Sequence, residues 1–130
     1  MAYRLRLPIL LEEYFENTVY FIRRVRGRTR VIIPHMGILN GGFQALLRAG
    51  VWDDGTVYAD TALASSNEMS QFLERYGSEG LLFGSDFPFG SPWHELQKVR
   101  NLGMNADDFE NVVSRNVLRL TGVQPSQEQG

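Results

Sequence analysis

The sequence predicts an α/β fold in which short parallel strands alternate with helices. Two apolar runs, 31–33 and 81–83, are typical of fully buried strands. A third segment, 56–61, is rich in β-branched and aromatic residues and also predicts a strand. Helical segments separate these strands, and strands that alternate with helices form a parallel sheet through right-handed crossovers.

The first half of the chain predicts a helix, a strand and a second helix. Apolar residues at helical spacing predict a helix over 9–26, which Gly27 ends. Basic side chains in its last turn favour the helix dipole. The buried strand 30–34 follows, and Gly41-Gly42 then opens a helix over 43–49.

The second half predicts two more strands and three helices. Strand 56–61 follows an Asp-Asp-Gly turn signal, and strand 81–84 is a short apolar run. Each helix begins at a serine, proline or asparagine that suits an N-cap or a first turn. These helices are 67–76 after Ser65 or Ser66, 92 to about 102 after Ser91, and 106–120 after Asn105.

Three strands are few for a complete sheet. Buried parallel strands need both faces covered, and bare edge strands invite further pairing. Two explanations stay open at this point. Either a further strand lies unrecognised in the sequence, or another chain completes the sheet.

Composition and charge restrict the class of protein. The 130 residues suit one domain, with a folded region over 1–122 and a polar tail, 123–130, that is predicted to be disordered. A net charge of −2 argues against a nucleic-acid binder. No apolar run reaches the length of about 18 residues that spans a bilayer, and the chain has no cysteine for a disulfide or a thiolate zinc site. We therefore expect a cytoplasmic domain without a nucleic-acid or membrane partner.

Two of the predicted strands lead directly to an ionisable side chain. Asp86 follows strand 81–84, and His35, one of two histidines in the chain, follows strand 30–34. The carboxyl ends of parallel strands carry the catalytic and metal-binding groups of α/β enzymes. A structural explanation stays open for both, as a turn cap before proline for the aspartate and as a hydrogen-bonded strand end for the histidine. His94 lies at a helix start and is predicted to be exposed or structural.

Three motifs follow one another at the predicted strand ends: Pro34-His35-Met36-Gly37, Tyr58-Ala59-Asp60-Thr61 and Leu82-Phe83-Gly84-Ser85-Asp86-Phe87-Pro88. In order and spacing they resemble the amidohydrolase-related family of TIM-barrel metal-dependent hydrolases and decarboxylases. Residues 116–122 are similar to the family's ending, so the resemblance covers Leu10 to Gly122. It implies a partial (β/α)8 barrel, made of the C-terminal three βα units, whose strands are the sixth, seventh and eighth.

The resemblance also implies roles for three side chains. In the family, a histidine in the position of His35 is a general acid/base near the metal or a ligand to a second metal. An aspartate in the position of Asp86 is a metal ligand, and in hydrolytic members it also accepts a proton from metal-bound water. Asp60 has no fixed role in the family, and two interpretations stay open for it: a supporting role behind the other two, or an ordinary cap of its strand.

Other parts of the family's metal site have no counterpart in this sequence. The family carries a His-x-His or Glu-x-His pair on its first strand and another ligand on its fifth. A catalytic zinc takes about three protein ligands, and a complete barrel takes about 250 residues. We therefore expect the divalent metal, zinc by resemblance, to need ligands from another chain. That chain would be a second copy in a homo-oligomer or a missing N-terminal barrel partner.

The resemblance predicts metal-dependent hydrolysis or decarboxylation of a small carboxylate-bearing or cyclic substrate, by a site that is incomplete in the single chain. One alternative is a catalytically inactive barrel fragment that acts as an oligomerising or interaction module, in which His35→Ala and Asp86→Ala change only stability. Another is a self-contained, doubly wound α/β domain that resembles the barrel only locally. The latter predicts a monomer that unfolds cooperatively.

Overall fold

The computed structural model describes residues 6–124. One sheet has four parallel strands in the order β1-β2-β3-β4, and helices lie between them in the chain. The strands are β1 (Ile9–Leu10), β2 (Val31–Ile33), β3 (Val57–Asp60) and β4 (Leu81–Leu82). The predicted α/β class and parallel sheet are therefore confirmed.

Helices follow every strand, and three of them begin at the predicted N-caps. The Ser65, Ser91 and Asn105 side chains each accept a hydrogen bond from the backbone N–H three residues on, which satisfies a free donor of the first turn. The helices are α1 (Phe15–Val25), α2 (Phe43–Arg48), α3 (Ser66–Tyr76), α4 (Pro92–Arg100), α5 (Ala106–Glu110) and α6 (Asn116–Thr121).

The predicted start of the first helix is wrong. Ile9 and Leu10 form β1, which pairs in parallel with β2, and α1 begins only at Phe15. The Ile9 N–H donates to the carbonyl of Arg30, and the Leu11 N–H donates to that of Ile32, both at 2.9 Å. Two apolar residues are too few for periodicity to distinguish a strand from a helix. The sheet thus has four strands rather than three, and one strand lay unrecognised in the sequence.

The predicted helix 106–120 is interrupted by a π-helical segment, Asn111–Arg115, between α5 and α6. The Asn116 N–H bonds to the Asn111 carbonyl, which leaves the Val112 carbonyl free to accept from the Phe83 N–H at 2.9 Å. The fully buried Asn116 side chain also donates to the carbonyls of Ser78 and Leu81. These bonds fix the end of β4 against the last helix.

The core lies on one face of the sheet because side chains alternate along each strand. Val31, Ile33, Ala59 and Leu81 have no exposed surface and pack against apolar side chains of the helices. The opposite face is covered at Leu82 of β4, which is buried, and is more open elsewhere: Leu10 is 64% exposed, while Tyr58 and Asp60 are partly exposed. Asp60 therefore lies on the open face, at the carboxyl end of β3.

The described residues end shortly after α6. Residues 123 and 124 form no helix or strand, and the rest of the predicted tail, 125–130, lies outside the described residues. Within residues 6–124, every helix is too short or too polar to cross a membrane.

Candidate functional site

The loops after β2, β3 and β4 meet at one edge of the sheet, and each contains a non-glycine residue with a left-handed backbone. The φ angle is 56° at His35 after β2, 60° at Leu63 after β3 and 52° at Asp86 after β4. Such conformations cost of the order of 1–3 kcal/mol each and cluster at functional sites. The candidate site is therefore the region at the carboxyl ends of β2, β3 and β4.

His35 is held through both its backbone and its ring. Its backbone N–H donates to Asp60 Oδ1 at 2.9 Å, and its Nδ1 lies 3.0 Å from the Ala62 carbonyl oxygen. Because a carbonyl oxygen can only accept, Nδ1 carries the proton of the neutral imidazole. Nε2 keeps its lone pair and lies 3.8 Å from Asp86 Oδ2. The ring thus directs a base or a ligand toward Asp86.

Asp60 ties the loop after β2 to the loop after β3. Its Oδ1 accepts from the N–H groups of His35 and Ala62, at 2.9 and 3.0 Å. Burial raises the pKa of the Asp60 carboxyl, and the nearby Asp86 charge acts in the same direction, whereas the two hydrogen bonds and His35 oppose the rise. Through these two hydrogen bonds, Asp60 supports the backbone at His35 and in the loop after β3.

Asp86 has the opposite character. Its side chain is 36% exposed, and no donor among residues 6–124 lies within hydrogen-bond distance of its carboxylate. The loop is instead closed through the backbone, since the Asp86 carbonyl accepts from the N–H groups of Phe89 and Gly90 at 2.8 and 3.2 Å. Asp86 therefore presents an exposed carboxylate, with the imidazole of His35 beside it.

The His35–Asp86 pair fits a divalent metal as two of its ligands. A nitrogen and an oxygen that share a tetrahedral zinc lie about 3.3–3.6 Å apart, close to the 3.8 Å found here. A metal-binding histidine usually donates its other ring N–H to a carbonyl or carboxylate, as His35 does to Ala62. Within the described part of the chain, however, no group of three or more His, Cys, Asp or Glu side chains could hold a metal ion. A catalytic zinc site would therefore need a further ligand.

The structure brings together the three side chains that the sequence indicated: His35, Asp60 and Asp86. It places His94 apart from them, exposed in the first turn of α4 with its ring against Trp93. Glu95 was missed by the sequence analysis. Its buried carboxylate accepts from the Leu63 N–H at 3.1 Å. An acidic residue in a first helical turn is explained by the helix dipole alone, so no sequence signal indicated this contact.

A sheet of βα units with a histidine and an aspartate at the carboxyl ends of its strands is typical of α/β enzymes, (β/α)8 barrels among them. The sequence model of the amidohydrolase family matches residues 21–122, and the chain belongs to this family. The resemblance drawn from the strand-end motifs is therefore confirmed. Among curated proteins, none matches the chain.

Solved structures share the fold at low sequence identity. Amidohydrolase 2 from Bifidobacterium longum subsp. infantis has a TM-score of 0.75 at 15% identity, over 95% of this chain and 52% of that one. The 2,6-dihydroxybenzoate decarboxylase from Rhizobium has a TM-score of 0.71 at 13% identity, over 92% and 52%. An amidohydrolase from Burkholderia multivorans with bound zinc has a TM-score of 0.67 at 15% identity, over 92% and 54%. The chain spans about half the length of these structures, and its four strands correspond to part of a TIM barrel.

Proposed function

We propose that this chain contributes His35 and Asp86 to the metal site of an amidohydrolase-type hydrolase or decarboxylase. One observation carries the proposal. His35 Nε2 faces Asp86 Oδ2 at 3.8 Å, while Nδ1 is bound to the Ala62 carbonyl. A lone pair and a carboxylate oxygen that face each other at this distance suit a shared cation. The substrate we propose is a small carboxylate-bearing or cyclic molecule.

Each residue has a defined part in this proposal. Asp86 binds the divalent ion, for which we propose zinc. When bound, such an ion polarises a substrate oxygen or activates water. His35 Nε2 is either a second ligand or the group that takes up and returns a proton, and the Ala62 carbonyl keeps that nitrogen available. The family match supports this assignment, as does the zinc in the Burkholderia amidohydrolase.

The further ligands are proposed to come from a chain that pairs with the open edges of the sheet. Within residues 6–124, β1 and β4 each pair on one side only, and a (β/α)8 barrel has eight strands. A second copy or a separate N-terminal barrel partner would add strands at these edges. Either would place new side chains beside His35 and Asp86, because the carboxyl ends of parallel strands lie together.

Native mass spectrometry of the purified chain, as isolated and with added zinc, tests the proposal. We expect an assembly that carries zinc, and His35→Ala or Asp86→Ala should weaken zinc binding by at least about 100-fold, since each removes a direct contact. His94→Ala and Asp107→Ala, which alter exposed side chains away from the site, serve as matched controls and should bind zinc as the unaltered chain does. Equal zinc binding by all four variants would contradict the proposed site.

The second candidate function is an inactive fragment that serves as an oligomerising or interaction module. Two features of β1 favour it. Its Leu10 side chain is 64% exposed on the open sheet face. It is also an outer strand of the sheet, and outer strands invite pairing. This candidate predicts an assembly that forms without metal. It also predicts that His35→Ala and Asp86→Ala alter stability alone, so the same experiment separates the two functions.

A further inference from the structure

An ion pair on α4, with a buried carboxylate and a partly exposed lysine, lies behind the candidate site. Glu95 is 6% exposed, and its Oε2 lies 2.9 Å from Lys98 Nζ. The same oxygen accepts a hydrogen bond from the Leu63 N–H at 3.1 Å. Lys98 Nζ also donates to the Ala64 carbonyl at 2.8 Å. Both side chains of this ion pair are therefore bonded to the backbone of the loop after β3.

One peptide unit connects this ion pair to His35. The peptide between Ala62 and Leu63 donates its N–H to Glu95, and its carbonyl oxygen lies 3.0 Å from His35 Nδ1. Hydrogen bonds in such a chain polarise one another, so the carboxylate at one end strengthens the acceptor at the other. Rotation of this peptide would break both bonds together.

The conformation of the loop explains why such a contact is needed. Leu63 has a φ angle of 60°, which a non-glycine residue adopts only when its surroundings hold it. Asp60 Oδ1 holds the loop from one side through the Ala62 N–H, and Glu95 holds it from the other. Without Glu95, nothing else among the described hydrogen bonds restrains the Leu63 N–H.

We propose that Glu95, held by Lys98, is a positioning residue that fixes the ring of His35 with the proton on Nδ1 and the lone pair of Nε2 toward Asp86. It acts through the Ala62–Leu63 peptide and does not itself contact the candidate metal or substrate. The importance of this nitrogen rests on the proposed function. The hydrogen-bonded chain that runs from Lys98 through Glu95 and the Ala62–Leu63 peptide to His35 is called the relay below. Its geometry is testable without metal or substrate.

Nitrogen-15 NMR of the full 130-residue chain reads the imidazole tautomer directly, at a pH where both histidines are neutral. The chain has two histidines, so exposed His94 is an internal reference. We expect His35 of the unaltered chain to show the Nδ1–H form alone. In Glu95→Ala, the share of that form should fall at least two-fold. Glu95→Gln keeps an oxygen that can accept from the Leu63 N–H, and it should restore the tautomer.

The control is Glu74→Ala, an exposed carboxylate of α3, which should leave His35 unchanged. Should Glu95→Ala fail to fold, Lys98→Met carries the test, because it removes the group that holds the Glu95 carboxylate against the Leu63 N–H. A mixed His35 tautomer in that variant supports the relay. An Nδ1–H form retained in folded Glu95→Ala, or in Lys98→Met, overturns it.

The same spectra keep this inference apart from the proposed function. A chain that fails to bind zinc but responds to Glu95→Ala as expected would refute the metal site and leave the relay standing. Zinc binding that depends on His35, combined with a tautomer that ignores Glu95, would refute the relay alone.

Discussion

The loops after β3 and β4 both begin at the carboxyl edge of one sheet, yet they are held in opposite ways. The β3 loop, residues 61–65, is bonded by side chains from two directions, Asp60 on one side and Glu95 with Lys98 on the other. The β4 loop, residues 83–91, is bonded to Val112 and Thr61 at its start, and its tip is closed by its own backbone around the Asp86 carbonyl. The side chains at its tip are open to solvent, with Phe87 and Phe89 exposed by 73% and 83%.

The β3 loop holds His35 in place, whereas the β4 loop presents a carboxylate to solvent. Every ionised group that contacts the β3 loop is occupied by a backbone partner, so the loop can orient His35 but offers no free carboxylate. The β4 loop offers the exposed Asp86 carboxylate and two exposed aromatic rings. A site that binds a ligand needs both kinds of loop, since a rigid base and an accessible charge have conflicting requirements for burial.

The largest expected effect comes from closing the small space inside the β4 loop. A Cβ atom on Gly90 would lie 2.1 Å from the Ser85 carbonyl oxygen and 3.1 Å from Leu63 of the β3 loop. The Ser85 contact is to backbone, so the loop must shift. We expect Gly90→Ala to lower the free energy of unfolding by about 3 kcal/mol, at the upper end of the range for overpacking.

Urea denaturation measures that loss, and Gly55→Ala is its matched control. A Cβ on Gly55 meets nothing within 4 Å, and we expect a change within about 0.5 kcal/mol there. If the two variants are equally stable, the β4 loop is looser than its backbone hydrogen bonds indicate.

A smaller effect is expected from removing the support on the β3 side. Asp60→Ala leaves the N–H groups of His35 and Ala62 without their acceptor. We expect it to destabilise the protein by about 1–2 kcal/mol at neutral pH, because an unsatisfied buried donor costs about 1–3 kcal/mol and the loss of a partly buried charge offsets part of that. Asp60→Asn keeps an acceptor oxygen and should change stability by less than about 0.5 kcal/mol. A loss in Asp60→Asn as large as that in Asp60→Ala would mean that the negative charge, rather than the acceptor oxygen, supports the loop.

The sequence predicted the functional residue of the β4 loop better than the contacts that hold the β3 loop. Asp86 of the β4 loop closely follows an apolar run, as does His35 after β2, so the strand pattern placed both at the carboxyl ends of the strands. The relay could not be predicted, because the Ala62 carbonyl has no side-chain signature and Glu95 suits a helix start in any case. The roles assigned to His35, Asp60 and Asp86 stay predictions.

The strands show the same limit at the level of the fold. Three were predicted from buried runs bounded by turn residues, and their parallel pairing is confirmed. The two residues of β1 owe their conformation to pairing with β2, which is a tertiary contact that no local pattern encodes. The π-helical segment likewise depends on Phe83 bonding to Val112 across the fold.

The smallest effect concerns pH and returns to Asp60. Burial raises the pKa of its carboxyl above the ordinary value of 3.8, so the folded protein holds this proton more tightly than the unfolded chain. The stability contributed by Asp60 is therefore complete below pH 3.8 and is lost as the pH rises through the raised pKa. Asp60→Asn cannot ionise and escapes that loss.

Urea denaturation across this pH range should show Asp60→Asn gaining stability relative to the unaltered chain as the pH rises, with Asp60→Ala following a parallel curve at lower stability. A constant difference between Asp60→Asn and the unaltered chain would mean that the two backbone hydrogen bonds fully offset the burial of this carboxylate.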